Sequence, residues 1–257
     1  MTETIVLTLS YDGSALAGFA RQPGQDTVQG RLEAALGTIL RMPVTITGAG
    51  RTDAGVHALG QVVSFSATGN EPGELSLVRS LNALAGPDIV VSSVRSAPST
   101  FSARYSAVSR EYRYRIVPGP IAPVFLSRYS WWLKSSFDLA AMREAASHLV
   151  GEHDFRSFCV AGSAEGKRTS RFLESVDIAP DIQMGEHCIV IRIVGNAFLH
   201  SMVRIIVGTL VEVGRGSRHP DWVLEVLAAG DRAVAGQTAP AHGLTLWHVG
   251  YPEESWL

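Results

Sequence analysis

Strand-like and helix-like segments follow one another along this chain in an order that few folds can accommodate. Alternating and helically spaced apolar residues divide the first 105 residues into strand, helix, two strands, helix and strand. After residue 105 the order is strand, helix, two strands, two helices and a final strand. The pattern predicts an α+β protein with an N-terminal half at 1–105 and a C-terminal half at 106–257. The related orders suggest an old duplication.

The composition is typical of a globular protein in a reducing compartment. With 257 residues, of which 46% are hydrophobic, the chain can bury a sizeable core. The longest apolar run, at 205–211, is too short to cross a bilayer, and the N-terminus shows no secretion signal. Cys159 and Cys188 have neither metal-ligand spacing nor a disulfide framework. We therefore expect a cytoplasmic protein without a membrane segment.

Arginines supply most of the positive charge and group into clusters. The 22 Lys and Arg residues against 24 Asp and Glu residues give a formal net charge of −2, which argues against a polycation that coats nucleic acid. Arginine suits bidentate recognition of phosphate, so the clusters are candidate phosphate contacts, with a solvated surface as the alternative. They are Arg104, Arg110, Arg113 and Arg115; Lys167, Arg168 and Arg171; and Arg215 with Arg218.

A loop of small residues, GAGRTDAGV at 48–56, places Asp53 between two glycines directly before a strand-like run. Glycine permits positive φ and close approach of a ligand, so a carboxylate here is a candidate nucleophile or electrostatic group. The alternative is that Asp53 caps the turn through its own backbone. A metal site with His57 is disfavoured by Gly55 and by the lack of a third ligand. We expect His57 to be a loop histidine that contacts substrate or solvent.

Arg204 lies in the helix-like segment FLHSMVRIIVGTLVEV, which has little polar face. A buried guanidinium requires a carboxylate partner, because an unmatched buried charge is strongly destabilising. Asp53 is the best candidate for that partner. The alternative is that Arg204 extends to the surface along its aliphatic stem.

The strand-like segment REYRYRI has one aromatic face. Alternation places Arg110, Tyr112, Tyr114 and Ile116 on one face, and Glu111, Arg113 and Arg115 on the other. Tyrosines on a strand are commonly core residues, but they can also form a platform on which a nucleobase stacks. The flanking arginines favour the platform. Glycine-rich nucleotide-binding loops and the serine-hydrolase elbow are absent from the sequence, which excludes those function classes.

Four segments together resemble the tRNA pseudouridine synthase A family. They are YDGSALAGFARQ at 11–22, AGRTDAGVHALGQVVSF at 49–65, FSARYSAVSREYRYRI at 101–116 and NAFLHSMVRIIVGTLVEVGRG at 196–216. The match runs in one order over nearly the whole chain, and GRTDAGVHA is its most specific part. The chain departs from the family at Phe19 and Ala20, where members often have Trp-Gln.

The resemblance implies isomerisation of uridine to pseudouridine at positions 38, 39 and 40 in the tRNA anticodon stem-loop, without cofactor or metal. It implies that Asp53 is the nucleophile, that Tyr112 packs on the flipped base, and that Arg204 is the ion-pair partner of Asp53. The predicted substrate contacts are Arg51, His57, Tyr112, Arg113, Arg168 and Leu244. The alternatives are a non-catalytic tRNA-binding or chaperone protein and, less favoured, a metal-dependent phosphohydrolase.

The resemblance also implies the pseudouridine synthase fold. That fold has two ferredoxin-like, RRM-like halves joined in one mixed, mainly antiparallel central sheet, with helices packed on it. The N-terminal half would carry the Asp53 loop, and the C-terminal half the tyrosine strand and the arginine helix. The family is homodimeric, with tRNA lying across both subunits.

Overall fold

The computed structural model describes residues 3–163 and 165–256. The chain divides into two compact units, Met1–Arg110 with Thr245–Leu257, and Glu111–Leu244. The predicted division into an N-terminal half at 1–105 and a C-terminal half at 106–257 stays a prediction.

Ten strands and five helices follow one another in the described residues. They are β1 (Thr4–Tyr11), α1 (Val28–Leu40), β2 (Thr47–Gly48), β3 (His57–Ser66), α2 (Glu74–Ala85), β4 (Ile89–Ala97), β5 (Ser109–Pro118), β6 (Trp131–Leu133), α3 (Leu139–Ser147), β7 (Gly151–Asp154), β8 (Ser170–Gln183), β9 (Glu186–Gly195), α4 (Met202–Gly214), α5 (Trp222–Ala229) and β10 (Leu244–Gly250). None of these helices is long and apolar enough to cross a membrane.

In the first unit the strands are ordered β4-β1-β3-β10, and β2 pairs with β3. β1 is antiparallel to β3 and to β4, whereas β10 is parallel to β3, with Thr245 opposite His57. α1 contacts α2, which in turn contacts β4. Four of the leucines that α1 and α2 contribute to the core, Leu32, Leu36, Leu77 and Leu81, are at most 1% exposed. Their burial at helical spacing explains why these two segments form helices.

In the second unit the strands are ordered β5-β9-β8-β7, and β6 lies parallel to β5. β8 and β9 form a long antiparallel hairpin that turns between Gln183 and Glu186, and β7 is antiparallel to β8. α3 contacts α4 and β8. Eleven of the thirteen residues of α4 are buried, as its apolar sequence predicts. The α+β class and a mixed, mainly antiparallel sheet with helices are therefore confirmed.

Candidate active site

Asp53 lies in the turn between β2 and β3, and its side chain is half-buried. The amide of Val56 donates to the Asp53 carbonyl oxygen at 3.2 Å, which closes the turn. Gly55 has a φ of +79°, a value that favours glycine, so the glycine after Asp53 is required by the backbone. Arg51, two residues earlier, is exposed. The loop thus presents an arginine and a carboxylate on a defined turn.

The segment at 13–19 packs directly against the Asp53 loop. The amide of Phe19 donates to the Thr52 carbonyl oxygen at 3.0 Å, and the Gly55 amide donates to the Leu16 carbonyl oxygen at 3.4 Å. Gly18 has a φ of +95°, and a Cβ there would lie 2.9 Å from the Thr52 carbonyl oxygen. The buried Phe19 ring also lies against Gly48. Phe19 therefore braces the Asp53 loop through both its backbone and its ring.

Buried polar side chains lie beneath the same loop. The Tyr11 hydroxyl and the Thr52 hydroxyl are 2.8 Å apart. The side-chain amide nitrogen of Gln61, Nε2, donates to the Gly50 carbonyl oxygen at 3.0 Å and to the Tyr11 hydroxyl at 3.4 Å. Burial, partly offset by these hydrogen bonds, raises the pKa of Tyr11 to about 12. Tyr11 and Gln61 were not predicted as site residues, because their meeting depends on the pairing of β1 with β3.

His57 is buried, with 4% exposure, and it is the first residue of β3. Its Nδ1 accepts a hydrogen bond from the Gly13 amide at 3.1 Å and lies 3.2 Å from an Asp12 carboxylate oxygen. The predicted placement of His57 in a loop, in contact with solvent, is therefore wrong. β3 begins at His57, before the apolar residues of the strand, because His57 pairs with Thr245 of β10. Pairing between such distant residues cannot be predicted from the alternation of residues along the sequence. A substrate contact by His57 stays a prediction.

Tyr112 and Tyr114 lie on the buried face of β5, as alternation predicts. The Tyr112 ring contacts the Phe198 ring edge to face, with 5.0 Å between centroids. The Tyr114 hydroxyl donates to the Pro240 carbonyl oxygen at 2.9 Å. Burial raises the pKa of Tyr114, and the nearby positive charge of Arg204 partly offsets that effect. Tyr114 is thus a core residue, whereas Tyr112, at 7% exposure, retains a small accessible surface.

Arg204 lies in the first turn of α4 and is half-buried among buried neighbours. Its Nε donates to the Ala239 carbonyl oxygen at 2.8 Å, and the Ala239 amide donates to the Arg204 carbonyl oxygen at 3.1 Å. The segment at 236–240 is therefore bound along the helix, and it leaves no room for a side chain at Gly208. The predicted pairing of Arg204 with Asp53 stays a prediction.

The predicted arginine clusters differ in exposure. Arg110 and Arg115 are buried, at 8% exposure each, so their prediction as phosphate contacts is wrong. Arg110 donates to the carbonyl oxygens of Ala49, Arg104 and Ala107, because a buried guanidinium must use its donors within the protein. It anchors the chain near the start of the Asp53 loop.

Arg113 and Arg168 form ion pairs of different exposure. Arg113 Nε donates to Glu111 at 2.7 Å, and Glu111 also accepts from Arg192 at 3.0 Å. Burial raises the pKa of Glu111, but these hydrogen bonds outweigh it and hold the pKa below its usual value. Arg168 pairs with Glu152 at 3.0 Å, and its side chain is 79% exposed. Because exposed ion pairs contribute little stability, Arg168 can exchange its partner for a phosphate.

Leu244, another predicted substrate contact, is the first residue of β10 and is 5% exposed. Its neighbour Gly243 packs against the Tyr114 ring, so that a Cβ there would lie 2.5 Å from the ring. Among residues 3–163 and 165–256, no group of three His, Cys, Asp or Glu side chains is arranged to hold a metal ion.

Comparison with known proteins reveals similarity along nearly the whole chain. The model of a family described as tRNA pseudouridine synthase matches residues 8–106 and 145–252, which include Asp53 and Arg204 but not Tyr112. The tRNA pseudouridine synthase A of Brevibacillus brevis is 47% identical over 245 residues, covering 95% of this chain and 97% of that protein. The protein of that name from Burkholderia vietnamiensis is 44% identical, with 97% and 90% covered. The one from Anoxybacillus flavithermus is 44% identical, with 96% and 98% covered.

Proposed function

Because the chain belongs to the tRNA pseudouridine synthase family and is thus an isomerase of uridine in tRNA, we propose that Asp53 is its nucleophile. The proposed targets are uridines 38, 39 and 40 of the anticodon stem-loop. The observation that carries the proposal is the support of the Asp53 loop, which is bonded to the segment at 13–19 and to buried side chains. A carboxylate on a loop that is held in this way can react without the loop first having to be ordered.

The isomerisation breaks the bond from N1 of uracil to C1′ of the ribose and forms a bond from C5 to C1′. C5 loses a proton and N1 gains one, so atoms and electrons balance without an oxidant or a cofactor. Asp53 can attack C1′, attack C6 or remove the C2′ proton. Each route ends with loss of the C5 hydrogen, so release of tritium from 5-tritiated uridine reports all of them.

Tyr112 and Arg204 complete the proposed catalytic set. The uridine must leave its stack to react, and an aromatic ring offsets part of that cost by packing on the flipped base. Tyr112 has such a ring, held by its contact with Phe198. Arg204 is proposed to pair with the Asp53 carboxylate and to keep it ionised. Arg51, Leu244, Arg113 and Arg168 are proposed as substrate contacts.

The target positions are tested by mapping pseudouridine in unmodified tRNA incubated with the purified protein. We expect pseudouridine at positions 38, 39 and 40 with the wild type and none with Asp53→Asn. Glu74→Gln, which changes an exposed carboxylate at the start of α2, serves as the control and should act as the wild type does. Modification at other positions alone would contradict the proposed targets.

The family resemblance also supports a homodimer in the cytoplasm with tRNA bound across both subunits. Sedimentation of the protein with and without tRNA tests the subunit number, and cell fractionation tests the compartment. A wild-type protein that bound tRNA but formed no pseudouridine would instead favour the non-catalytic binding or chaperone function.

A further inference from the structure

We propose that Tyr11, Thr52 and Gln61 form a positioning network that fixes the Asp53 loop for catalysis. The inference rests on the proposed role of Asp53 as nucleophile. None of these side chains is proposed to touch the uridine. Each acts through the backbone of the loop that carries Asp53.

The network holds the loop at points just before Asp53. Thr52 is its direct neighbour, and the Thr52 hydroxyl lies 2.8 Å from the Tyr11 hydroxyl. Gly50 is the second point, because its carbonyl oxygen accepts from the Gln61 amide at 3.0 Å. The same amide lies 3.4 Å from the Tyr11 hydroxyl, which joins the two points into one network. Arg51, between them, is exposed.

The pairing of β1 with β3 brings the network together. Leu9 lies opposite Gln61, whereas Tyr11 lies opposite Ala58, so that β3 contains one extra residue at this point. Such an irregularity bends a strand and redirects its side chains. Tyr11 is the last residue of β1, and its hydroxyl lies beside that of Thr52 in the loop that enters β3.

Because these three residues are buried, their polar side chains indicate that hydrogen bonds are needed at this point of the fold. Tyr11, Thr52 and Gln61 are 4%, 7% and 0% exposed. A buried hydroxyl or amide lowers stability unless it is hydrogen-bonded, and apolar side chains of the same size would fill this space without that cost. The side-chain oxygen of Gln61, Oε1, is also used, since it accepts from the backbone amide of Val62 at 3.2 Å. A fully bonded polar network specifies one geometry for the groups that it holds.

The backbone secures the other side of Asp53. Val56 donates to the Asp53 carbonyl oxygen, and Gly55 donates to that of Leu16. The network holds the loop in the same way on the N-terminal side of Asp53, at Gly50 and Thr52. Because small displacements of a nucleophile slow the reaction more than they weaken binding, loss of the network should lower kcat and leave KM nearly unchanged.

The experiment measures tritium release from 5-tritiated uridine in tRNA under conditions in which each variant is folded. We expect Tyr11→Phe and Thr52→Val to lower kcat by about 10- to 100-fold while KM stays within about two-fold. Thr52→Ser keeps the hydroxyl and should restore most of the wild-type kcat. In the double variant Tyr11→Phe/Thr52→Val the effects should not add, because both changes break the same contact.

The matched control is Tyr251→Phe, which removes the hydroxyl of a half-buried tyrosine in the same unit, a hydroxyl that donates to the Ala103 carbonyl oxygen at 2.7 Å. We expect this variant to lose stability but to retain kcat. A wild-type kcat in Tyr11→Phe and Thr52→Val, or an equal loss in Tyr251→Phe, would overturn the positioning role. If Asp53→Asn is inactive in those cases, only this inference fails. If Asp53→Asn turns over normally, the proposed nucleophile fails as well.

Discussion

The proposed role of Asp53 depends on the atoms around it, because an aspartate in a glycine-containing turn commonly does no more than cap that turn. Phe19 and Leu16 bond to the loop through their backbones, and Gly18 allows the two segments to approach closely. Sequence reasoning predicted Asp53 because the glycines that flank it are visible in the chain. It did not predict Tyr11 and Gln61, which lie 50 positions apart and meet only through strand pairing.

The Tyr112 hydroxyl is predicted to relay the C5 proton, because its oxygen can accept that proton while the hydroxyl gives up its own. Tyr112→Phe keeps the ring against Phe198, so tRNA binding should persist while kcat falls by about 10²- to 10⁴-fold, the usual range for general acid–base groups. Tyr114→Phe, the control, removes the bond to Pro240 and should lower stability more than kcat. An unchanged kcat in Tyr112→Phe would limit Tyr112 to a packing role.

At the scale of secondary structure, α4 and its partner segment show how glycine sets the spacing between elements. Gly208 lies where the backbone of Gln237 touches the helix, so any Cβ would overlap that carbonyl oxygen. Gly37 of α1 has ordinary space instead, with the Met42 carbonyl oxygen 3.6 Å from a Cβ. Both glycines are inside helices, and their surroundings alone distinguish them.

We predict opposite effects of alanine at these two positions. Gly208→Ala should lower the free energy of unfolding by about 3 kcal/mol or more, because backbone has to move in a packed region. Gly37→Ala should raise it by about 0.5–1 kcal/mol, because alanine favours the helix. Urea unfolding followed by circular dichroism measures both values. A stabilised Gly208→Ala protein would show that the segment at 236–240 does not pack on α4.

The long, strongly patterned elements were predicted from sequence, and the short ones were not. β5 and α4 were predicted because their apolar residues repeat with a clear period. β6 and β7, of three and four residues, are too short to show one. β2 comprises only Thr47–Gly48, and β3 begins at His57, within the GRTDAGVHA motif. In each case pairing with a distant strand, rather than local pattern, sets the limits.

For the molecule as a whole, the net charge of −2 leads us to expect that tRNA is contacted by local groups of arginines. Arg168→Gln should weaken tRNA binding and reduce the slope of log K against log salt by about 1. Arg156→Gln is the control, because Arg156 is also exposed beside an aspartate but lies outside the predicted clusters. Binding titrations at several salt concentrations measure both slopes. Equal slopes in the two variants would remove Arg168 from the substrate contacts.

Because burial raises the pKa values of three tyrosines, we expect the folded protein to lose stability at alkaline pH. Burial raises the pKa values of Tyr11, Tyr114 and Tyr251, in Tyr11 to about 12. Between about pH 10 and 12 the unfolded chain loses tyrosine protons that the folded protein keeps, so the free energy of unfolding falls as pH rises. The fall should be smaller in Tyr11→Phe. Denaturant unfolding at several pH values measures it, and an equal fall in both proteins would contradict the burial of a neutral Tyr11.

The role of Asp53 as nucleophile is tested by the single-turnover rate of tritium release by Asp53→Asn, measured together with the affinity of this variant for tRNA. Asparagine preserves the size of the side chain and removes its charge, so the loop should keep its hydrogen bonds. We predict that tRNA binds with near wild-type affinity and that no tritium is released above background. Release at a rate close to that of the wild type would show that Asp53 is not the nucleophile.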